Sequence, residues 1–329
     1  MTASVLTRKD RGATIQSRIS PVSRAANVVT FALLAIGIVA SIATKFTFAS
    51  LPNIVLLIVG VLVLDVISQL APQTRIIEAA QTILYGVLYL VITCVCGVLA
   101  AYAMQRFAFP LQDQLLERAD VALGLNWFGY AHWVDRHALV QAIFHLAYDS
   151  LAIQIPLPLI VLACSSRLSE ARTCLLAFAI AFIVTIVISA LMPAAGPIAL
   201  VDRAAFSIMQ FTGATPLDHL TRLREAGPLM FNDPPGGIAT FPSFHATVAV
   251  LTPLALRSYP RLFIALLIVN AAMLGGTVTE GAHYFVDILA GGGMAFFAYA
   301  LAKRIISLED RSFGRQRNRP TARPYPSTC

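Results

Sequence analysis

Long apolar runs separated by short polar segments dominate the chain. A helix needs about 20 apolar residues to cross a bilayer, and runs of this order recur along the sequence. The pattern predicts eight membrane-spanning helices. They cover residues 26–48, 52–70, 82–104, 146–164, 173–192, 240–257, 262–279 and 285–302. The predicted fold is therefore an all-α, polytopic membrane bundle of about eight transmembrane helices.

Composition and charge agree with a membrane protein. Hydrophobic residues make up 57% of the 329 residues and charged residues 12%, whereas soluble domains carry roughly 25% charged residues. The net charge of +7 would suggest a nucleic-acid partner in a soluble protein. Here membrane orientation explains it better, because an even number of spans puts both termini on one side, and most Lys and Arg residues then fall on that side.

We therefore predict an integral protein of the inner (cell) membrane with both termini in the cytoplasm, and no nucleic-acid partner. The basic N-terminal segment precedes an apolar run that is too long for a typical cleaved signal, so we expect a retained anchor helix. Two longer segments, residues 105–145 and 193–239, then lie outside. The first is rich in aromatic residues and predicts amphipathic helices at the interface. The second is a loop rich in Pro and Gly.

Two polar islands next to predicted spans carry candidate chemistry. The first, Phe241-Pro242-Ser243-Phe244-His245, has the features of a helix start, where free N–H groups favour a bound phosphate. The second contains His283 and Asp287, four residues apart and so on one helical face. By the alternation of spans, both islands lie at the same membrane face. Asp287 can then accept a hydrogen bond from one ring nitrogen of His283 and leave the other free to attack as a nucleophile.

The two islands resemble the second and third signature motifs of the phosphatidic acid phosphatase type 2 superfamily. Within it, the segments FPSFHA and HYFVD look most like the branch that contains inositol phosphorylceramide synthase. The resemblance implies that His283 attacks phosphorus, that His245 protonates the leaving group, that Asp287 holds the nucleophile and that Ser243 binds phosphate. It also implies a six-helix catalytic core, which we assign to residues 80–304.

The remaining segments complete the expected domain organisation. Residues 1–25 form a basic cytoplasmic tail, residues 26–79 two additional helices and residues 305–329 a flexible basic tail. The Lys-x6-Arg-Pro of the superfamily's first motif is absent. In the third motif, Gly276 and Thr277 stand where a Ser-Arg pair is usual, seven and six residues before the histidine. The synthase branch also tends to lack that arginine, so this departure favours the branch.

A bound phosphate still needs cationic or N–H partners. The preceding loop offers Arg203, Arg222 and Arg224, of which we prefer Arg224, followed by Arg222. Solvated loop charges are the alternative. His132, Asp135 and His137 form no convincing metal site, so we expect no metal and no cofactor.

The predicted activity is that of a lipid phosphotransferase or phosphatase acting at the extracytoplasmic face through a phosphohistidine. Its substrates are a phosphate-ester lipid and either a lipid alcohol or water as acceptor. We favour phosphotransfer of the inositol phosphorylceramide synthase type over a monoester phosphatase; a non-enzymatic transporter or scaffold is a third possibility. The roles of Asp65 and of the His145 and Asp149 pair stay open.

Overall fold

A computed structural model describes residues 22–49, 75–200 and 214–317, together with five separate positions between 52 and 63. The helices are α1 (Arg24–Thr44), α2 (Arg75–Gln105), α3 (Asp113–Ala122), α4 (Trp127–Asp135), α5 (Ala138–Asp149), α6 (Leu151–Gln154), α7 (Leu157–Cys164), α8 (Leu168–Leu191), α9 (Ala214–Leu223), α10 (Phe244–Ala255), α11 (Pro260–Thr279) and α12 (Phe285–Arg317). Two short parallel strands, β1 (Phe46–Phe48) and β2 (Leu229–Phe231), pair with each other. The predicted all-α fold is confirmed.

The described helices are long and apolar enough for a membrane protein. Five of them qualify as spans by length and hydropathy: α1, α2, α8, α11 and α12. A sixth forms if the bent segment from α5 to α7 crosses as one unit. The chain is therefore an integral membrane protein. The predicted span 52–70 and its Asp65 fall mainly outside the described residues.

Two predicted spans differ from continuous helices. The span at 146–164 is broken, because the helices on either side of residues 155–156 diverge by 50° and Pro156 has no N–H to continue the hydrogen-bond ladder. The span at 240–257 is helical only as α10, whose 12 residues cover about 18 Å. That is shorter than the roughly 30 Å hydrocarbon layer. The extended residues before α10 instead form part of a loop.

Helix α8 lies at the centre of the bundle. Its apolar window is 67% buried, against 22–39% for the other four spans. Small side chains such as Ala171, Ala177 and Ala181 are fully buried along it and let neighbouring helices approach closely. The buried cluster around α8 draws residues from α1, α2, α7, α10, α11 and α12. This packing fixes α10 and α12, the two helices that begin at the polar islands.

Helix α12 continues to Arg317, past the boundary at residue 304 that the sequence suggested for a flexible tail. The reason lies in an ionic cluster at its far end. Arg172 of α8 is 2% exposed and contacts Glu309 at 2.6 Å and Asp310 at 2.5 Å. A buried guanidinium needs such partners. The contacts with Glu309 and Asp310 therefore hold α12 against α8 beyond residue 304, in the first part of the expected tail.

The segment in which the aromatic pattern predicted helices forms α3, α4 and most of α5, and α3 and α4 lie at the opposite end of the bundle. The β1–β2 pairing lies at the same end, since β1 follows α1 and β2 leads into the loop before α10. There Phe46, Phe48 and Phe231 pack around Tyr102 of α2. The pairing thus connects the N-terminal helix to the loop that precedes the Ser243 island.

Candidate active site

Two distant loops meet at this end of the bundle. Ser243, just before α10, donates its backbone N–H to the carbonyl oxygen of Asp287 at 3.0 Å. Thr240 donates its hydroxyl to the carbonyl of Ala194 at 2.8 Å. The Pro-rich and Gly-rich loop, the start of α10 and the start of α12 therefore form one assembly. The expectation that both polar islands lie at the same face agrees with this arrangement.

His283 is held from one side by Asp287. The two residues stand at the start of α12, and the His283 Nδ1 atom lies 3.2 Å from the Asp287 Oδ2 atom. The same oxygen accepts the backbone N–H of Tyr284 at 3.0 Å. Asp287 is completely buried and His283 is 5% exposed. With Nδ1 donating to this carboxylate, Nε2 carries the ring's free lone pair.

Ser243 faces that second nitrogen. Its Oγ atom lies 3.4 Å from His283 Nε2 and also accepts the N–H of Ala246 at 3.3 Å, which makes Ser243 the N-cap of α10. Gly291 of α12 allows the two helices to meet here, since a Cβ atom on it would lie 2.2 Å from the Ser243 carbonyl oxygen. The Ser243 hydroxyl and the positive N-terminal end of α10 are therefore both next to the His283 Nε2 atom.

His245 lies one residue into α10 and stacks on Tyr148 of α5. The ring centroids are 3.9 Å apart and the planes differ by 10°. Face-to-face contact restricts the plane of the imidazole ring. Tyr148 was not among the residues suggested by the sequence, because an aromatic residue near a span end is usually only an interfacial anchor.

His245 and His283 line one cavity of about 270 Å³. Its polar end also includes Tyr148 and Glu280, whereas Val98, Phe182 and Ile186 form part of an apolar wall. The volume is close to the lower end of the range for small-molecule sites. A polar head group fits such a space, but two acyl chains do not.

Two aspartates that the sequence did not single out support the assembly. Asp120 of α3 accepts the N–H groups of Phe285 and Val286 at 2.9 and 2.8 Å, so it caps the helix that carries Asp287. Asp113, two turns earlier, accepts the N–H groups of Ala195 and Gly196 at 3.0 and 2.8 Å. Their two-turn spacing on an amphipathic helix was the available signal. That spacing predicts that Asp113 and Asp120 share one face of the helix, but it does not predict which backbone groups they bind.

The hydroxyl of Tyr284 completes the Asp113 contacts. It donates to Asp113 Oδ1 at 3.1 Å, and burial together with the nearby Asp113 charge raises the Tyr284 pKa above its ordinary value. Burial also raises the Asp120 pKa, although the two backbone N–H groups oppose that rise. Both shifts follow mainly from burying ionisable groups, a phenol and a carboxyl, in a poorly hydrated interface.

The structure does not bring Arg222 or Arg224 into the cavity. Arg222 pairs with Asp233 and lies over the Phe231 ring at 4.8 Å. Arg224 donates to the carbonyl groups of Ala108 and Phe109 at 3.2 and 2.8 Å. Neither arginine lines the cavity, because Arg222 is engaged within its own loop and Arg224 by the segment between α2 and α3. Arg203 falls outside the described residues.

Glu280 is a further residue that the sequence did not single out. Its side chain is 3% exposed, lines the cavity and lies with Oε2 3.0 Å from His145 Nδ1. The other nitrogen of His145 lies 3.4 Å from Asp149. His145 therefore bridges the cavity carboxylate and an exposed one, which answers part of the question left open for this pair. The signal in the sequence was a carboxylate directly after an apolar span.

The unusual third motif also has a structural reason. A Cβ atom on Gly276 would lie 2.8 Å from the Phe144 carbonyl oxygen, so α11 and α5 pack too closely there for the usual serine. Thr277 is fully buried and donates its hydroxyl to the Met273 carbonyl at 2.7 Å. Gly276 has no side chain to offer and the Thr277 hydroxyl is engaged within its own helix, so neither residue supplies a side-chain ligand for phosphate in this arrangement.

Comparison with known proteins agrees with the geometry. A family model described as the PAP2 superfamily matches residues 114–301, which is more than half of the 329 residues. No curated protein and no solved structure matches the chain. The matched range contains both polar islands and the helices α4 and α5. The chain therefore belongs to the PAP2 superfamily, and its general function is that of a lipid phosphatase or phosphotransferase in a membrane.

Proposed function

We propose that this protein is a lipid phosphotransferase that works by double displacement through a phosphohistidine on His283. The observation that carries the proposal is the orientation of the His283 ring. Nδ1 faces the buried Asp287 carboxylate and Nε2 faces the Ser243 hydroxyl, at 3.2 and 3.4 Å. An oriented imidazole with one free nitrogen beside a cavity is the arrangement that a nitrogen nucleophile requires.

In the first step, His283 Nε2 attacks the phosphorus of a phosphodiester lipid. The N–P bond forms as the bond from phosphorus to the lipid alcohol breaks, and His245 gives its proton to the departing alkoxide oxygen. Asp287 stabilises the positive charge that develops on the ring. Ser243 and the first N–H groups of α10 are the donors we assign to the phosphoryl oxygens.

In the second step, an acceptor hydroxyl attacks the same phosphorus. His245, now neutral, takes the hydroxyl proton as the O–P bond forms and the N–P bond breaks. The ring of His283 is then free again, and His245 has regained its proton. The sequence of two displacements leaves no net proton on the protein, so the chemistry needs no further acid or base.

The cavity size supports a lipid substrate whose chains stay in the bilayer. Its volume of about 270 Å³ accommodates a phosphate head group, while the acyl chains have space only among the lipids. The aromatic helices α4 and α5 lie at the same end of the bundle as the cavity, which favours a site at a membrane surface. We place that surface on the extracytoplasmic side of the cell membrane, with both termini inside.

We favour the branch that resembles inositol phosphorylceramide synthase, in which a lipid alcohol is the acceptor. The tight packing of Gly276 against Phe144 supports this choice, because the serine of the usual phosphatase motif does not fit there. We also keep residues 80–304 as the proposed catalytic core and residues 26–79 as an addition, although the family match begins at residue 114.

The test is to trap the intermediate. The purified full-length chain is mixed with a phospholipid labelled at phosphorus, quenched in alkali and digested. We expect the label on the peptide that contains His283, and none in His283→Ala. Adding a ceramide or a diacylglycerol should discharge the label into a new lipid. Free phosphate formed from a monoester at a rate indifferent to acceptor would instead support the phosphatase with water as acceptor.

A further inference from the structure

Glu280 occupies a position that the proposed two-step chemistry does not use. It lines the cavity together with His245 and His283, yet it is 3% exposed. Gly281 keeps this region compact, since a Cβ atom there would lie 2.6 Å from the His283 ring and 3.1 Å from the Tyr148 hydroxyl. Glu280 therefore belongs to the wall of the cavity beside the nucleophile.

The fixed charges of the cavity are unusual for a phosphate site. Among the lining residues that the structure describes, none is Lys or Arg, and Glu280 carries a carboxylate. His145 offsets part of that charge, but it also contacts Asp149. Even if both nitrogens of His145 carry a proton, the side chains of Glu280, His145 and Asp149 together have a net negative charge. A carboxylate beside a phosphate costs free energy unless the ligand itself brings donors.

We propose that Glu280 forms the subsite for the head group of the donor lipid and selects head groups rich in hydrogen-bond donors. The recognised chemistry is a set of hydroxyl groups or an ammonium group a few bonds from phosphorus, which a buried carboxylate accepts well. A head group without donors offers Glu280 nothing and places two negative groups side by side.

This inference rests on the proposed double displacement and assigns its substrate class. The lipid alcohol leaves in the first step, while the head group stays attached to the phosphorus bound to His283. A subsite for that head group therefore acts in both steps. It retains the transferred group until the acceptor arrives, which a contact with the departing lipid cannot do.

Glu280→Gln tests the proposal with little change in shape, because the carboxamide oxygen can still accept from His145. Turnover is measured with phosphatidylinositol, phosphatidylethanolamine and phosphatidate in mixed micelles. We expect kcat/KM to fall about tenfold or more for at least one of the two diesters, as loss of a charged hydrogen bond predicts. Phosphatidate turnover should stay equal or rise. The diester that is affected identifies hydroxyl groups or ammonium as the recognised donor.

Asp149→Asn is the matched control. It removes a carboxylate from the other nitrogen of the same histidine, but Asp149 is exposed and does not line the cavity. We expect it to change all three substrates by less than about threefold. An equal loss on all substrates in Glu280→Gln, or no loss on any, overturns the proposal.

A binding measurement separates this inference from the proposed function. In the His283→Ala protein, short-chain lipids are added and the shift in melting temperature is recorded, with and without Glu280→Gln. We expect Glu280→Gln to abolish the shift from the preferred diester and to leave the shift from phosphatidate in place. If His283 is not labelled in the trapping test, the double displacement fails while this measurement still reports on Glu280. If Glu280→Gln changes the shifts from the diester and from phosphatidate equally, the head-group subsite is overturned while the double displacement stands.

Discussion

The Nδ1 atom of His283 lies 3.2 Å from the Oδ2 atom of Asp287, and that carboxylate is completely buried. Because Oδ2 also accepts the N–H of Tyr284 at 3.0 Å, the carboxylate is fixed by the backbone just before α12 and not by the histidine alone. The Asp287 carboxylate thus keeps its position when the imidazole rotates, and this favours one orientation of the His283 ring.

Asp287→Asn should remove most of the activity without unfolding the protein. The carboxamide can keep one hydrogen bond, but it supplies no negative charge for a protonated or phosphorylated ring, and its NH₂ group favours the wrong tautomer. We expect kcat to fall by about a hundredfold or more. Asp149→Asn, which makes the same change in another histidine–aspartate pair four residues apart, serves as the control. Activity within about threefold of the wild type in Asp287→Asn would contradict an orienting role.

Ser243 has two tasks that substitution can separate. Replacement by Ala removes the N-cap of α10 and should cost about 1 kcal/mol of stability, whereas Gly at an N-cap costs only a few tenths. Both variants lack the hydroxyl that we assign to the phosphate. We therefore expect similar losses in kcat/KM, about tenfold or more, but a lower melting temperature mainly in Ser243→Ala. Activity that follows melting temperature across the two variants would mean that Ser243 is only a cap.

Gly291 and Gly292 offer a matched pair on one helix. A Cβ atom on Gly291 would meet the Ser243 carbonyl oxygen at 2.2 Å, while on Gly292 the nearest atom lies at 3.7 Å. Gly291→Ala should push α12 away from α10 and lower both melting temperature and activity. Gly292→Ala should be neutral or stabilise by up to about 1 kcal/mol, because alanine is the better helix former. Similar behaviour of the two variants would contradict the close approach of these helices.

The sequence predicted those features that depend on periodicity. Apolar runs located the described spans, and the spacing of four residues predicted that His283 and Asp287 share one helical face. The two side chains do meet, but α12 begins only at Phe285, so His283 reaches Asp287 from the segment just before the helix. The alternation of spans then brought His245 to the same end. Each of these inferences uses only local spacing and the thickness of a bilayer, both of which are available from the sequence alone.

Contacts between distant segments could not be obtained in this way. Asp120 caps a helix that begins 165 residues later, and no local pattern indicates that partner. The same holds for Arg224, whose basic side chain predicted a phosphate ligand, whereas in the structure it donates to the carbonyl groups of Ala108 and Phe109. A charge in a loop has many possible partners, and the sequence does not rank them.

Arg224→Ala should therefore affect the loop more than the substrate. Removing its guanidinium leaves two carbonyl groups without a donor, so we expect a lower melting temperature and a change in KM of less than about threefold. Arg106→Ala is the control, since Arg106 donates to the carbonyl groups of Leu223 and Glu225 in the same loop. A rise in KM of about tenfold or more, without loss of stability and absent from the control, would instead support a phosphate clamp.

Asp120 gives the interface of α3 and α12 a pH dependence whose sign can be stated. Burial raises its folded-state pKa above the ordinary 3.8, so the native protein binds this proton more tightly than the unfolded chain does. The resulting stability is fully present below 3.8 and is lost as pH rises through the raised pKa. Asp120→Asn cannot titrate. We expect the melting temperature of the wild type, relative to this variant, to decrease as pH is raised from about 4. A difference that grows with pH would mean that the two N–H contacts outweigh burial.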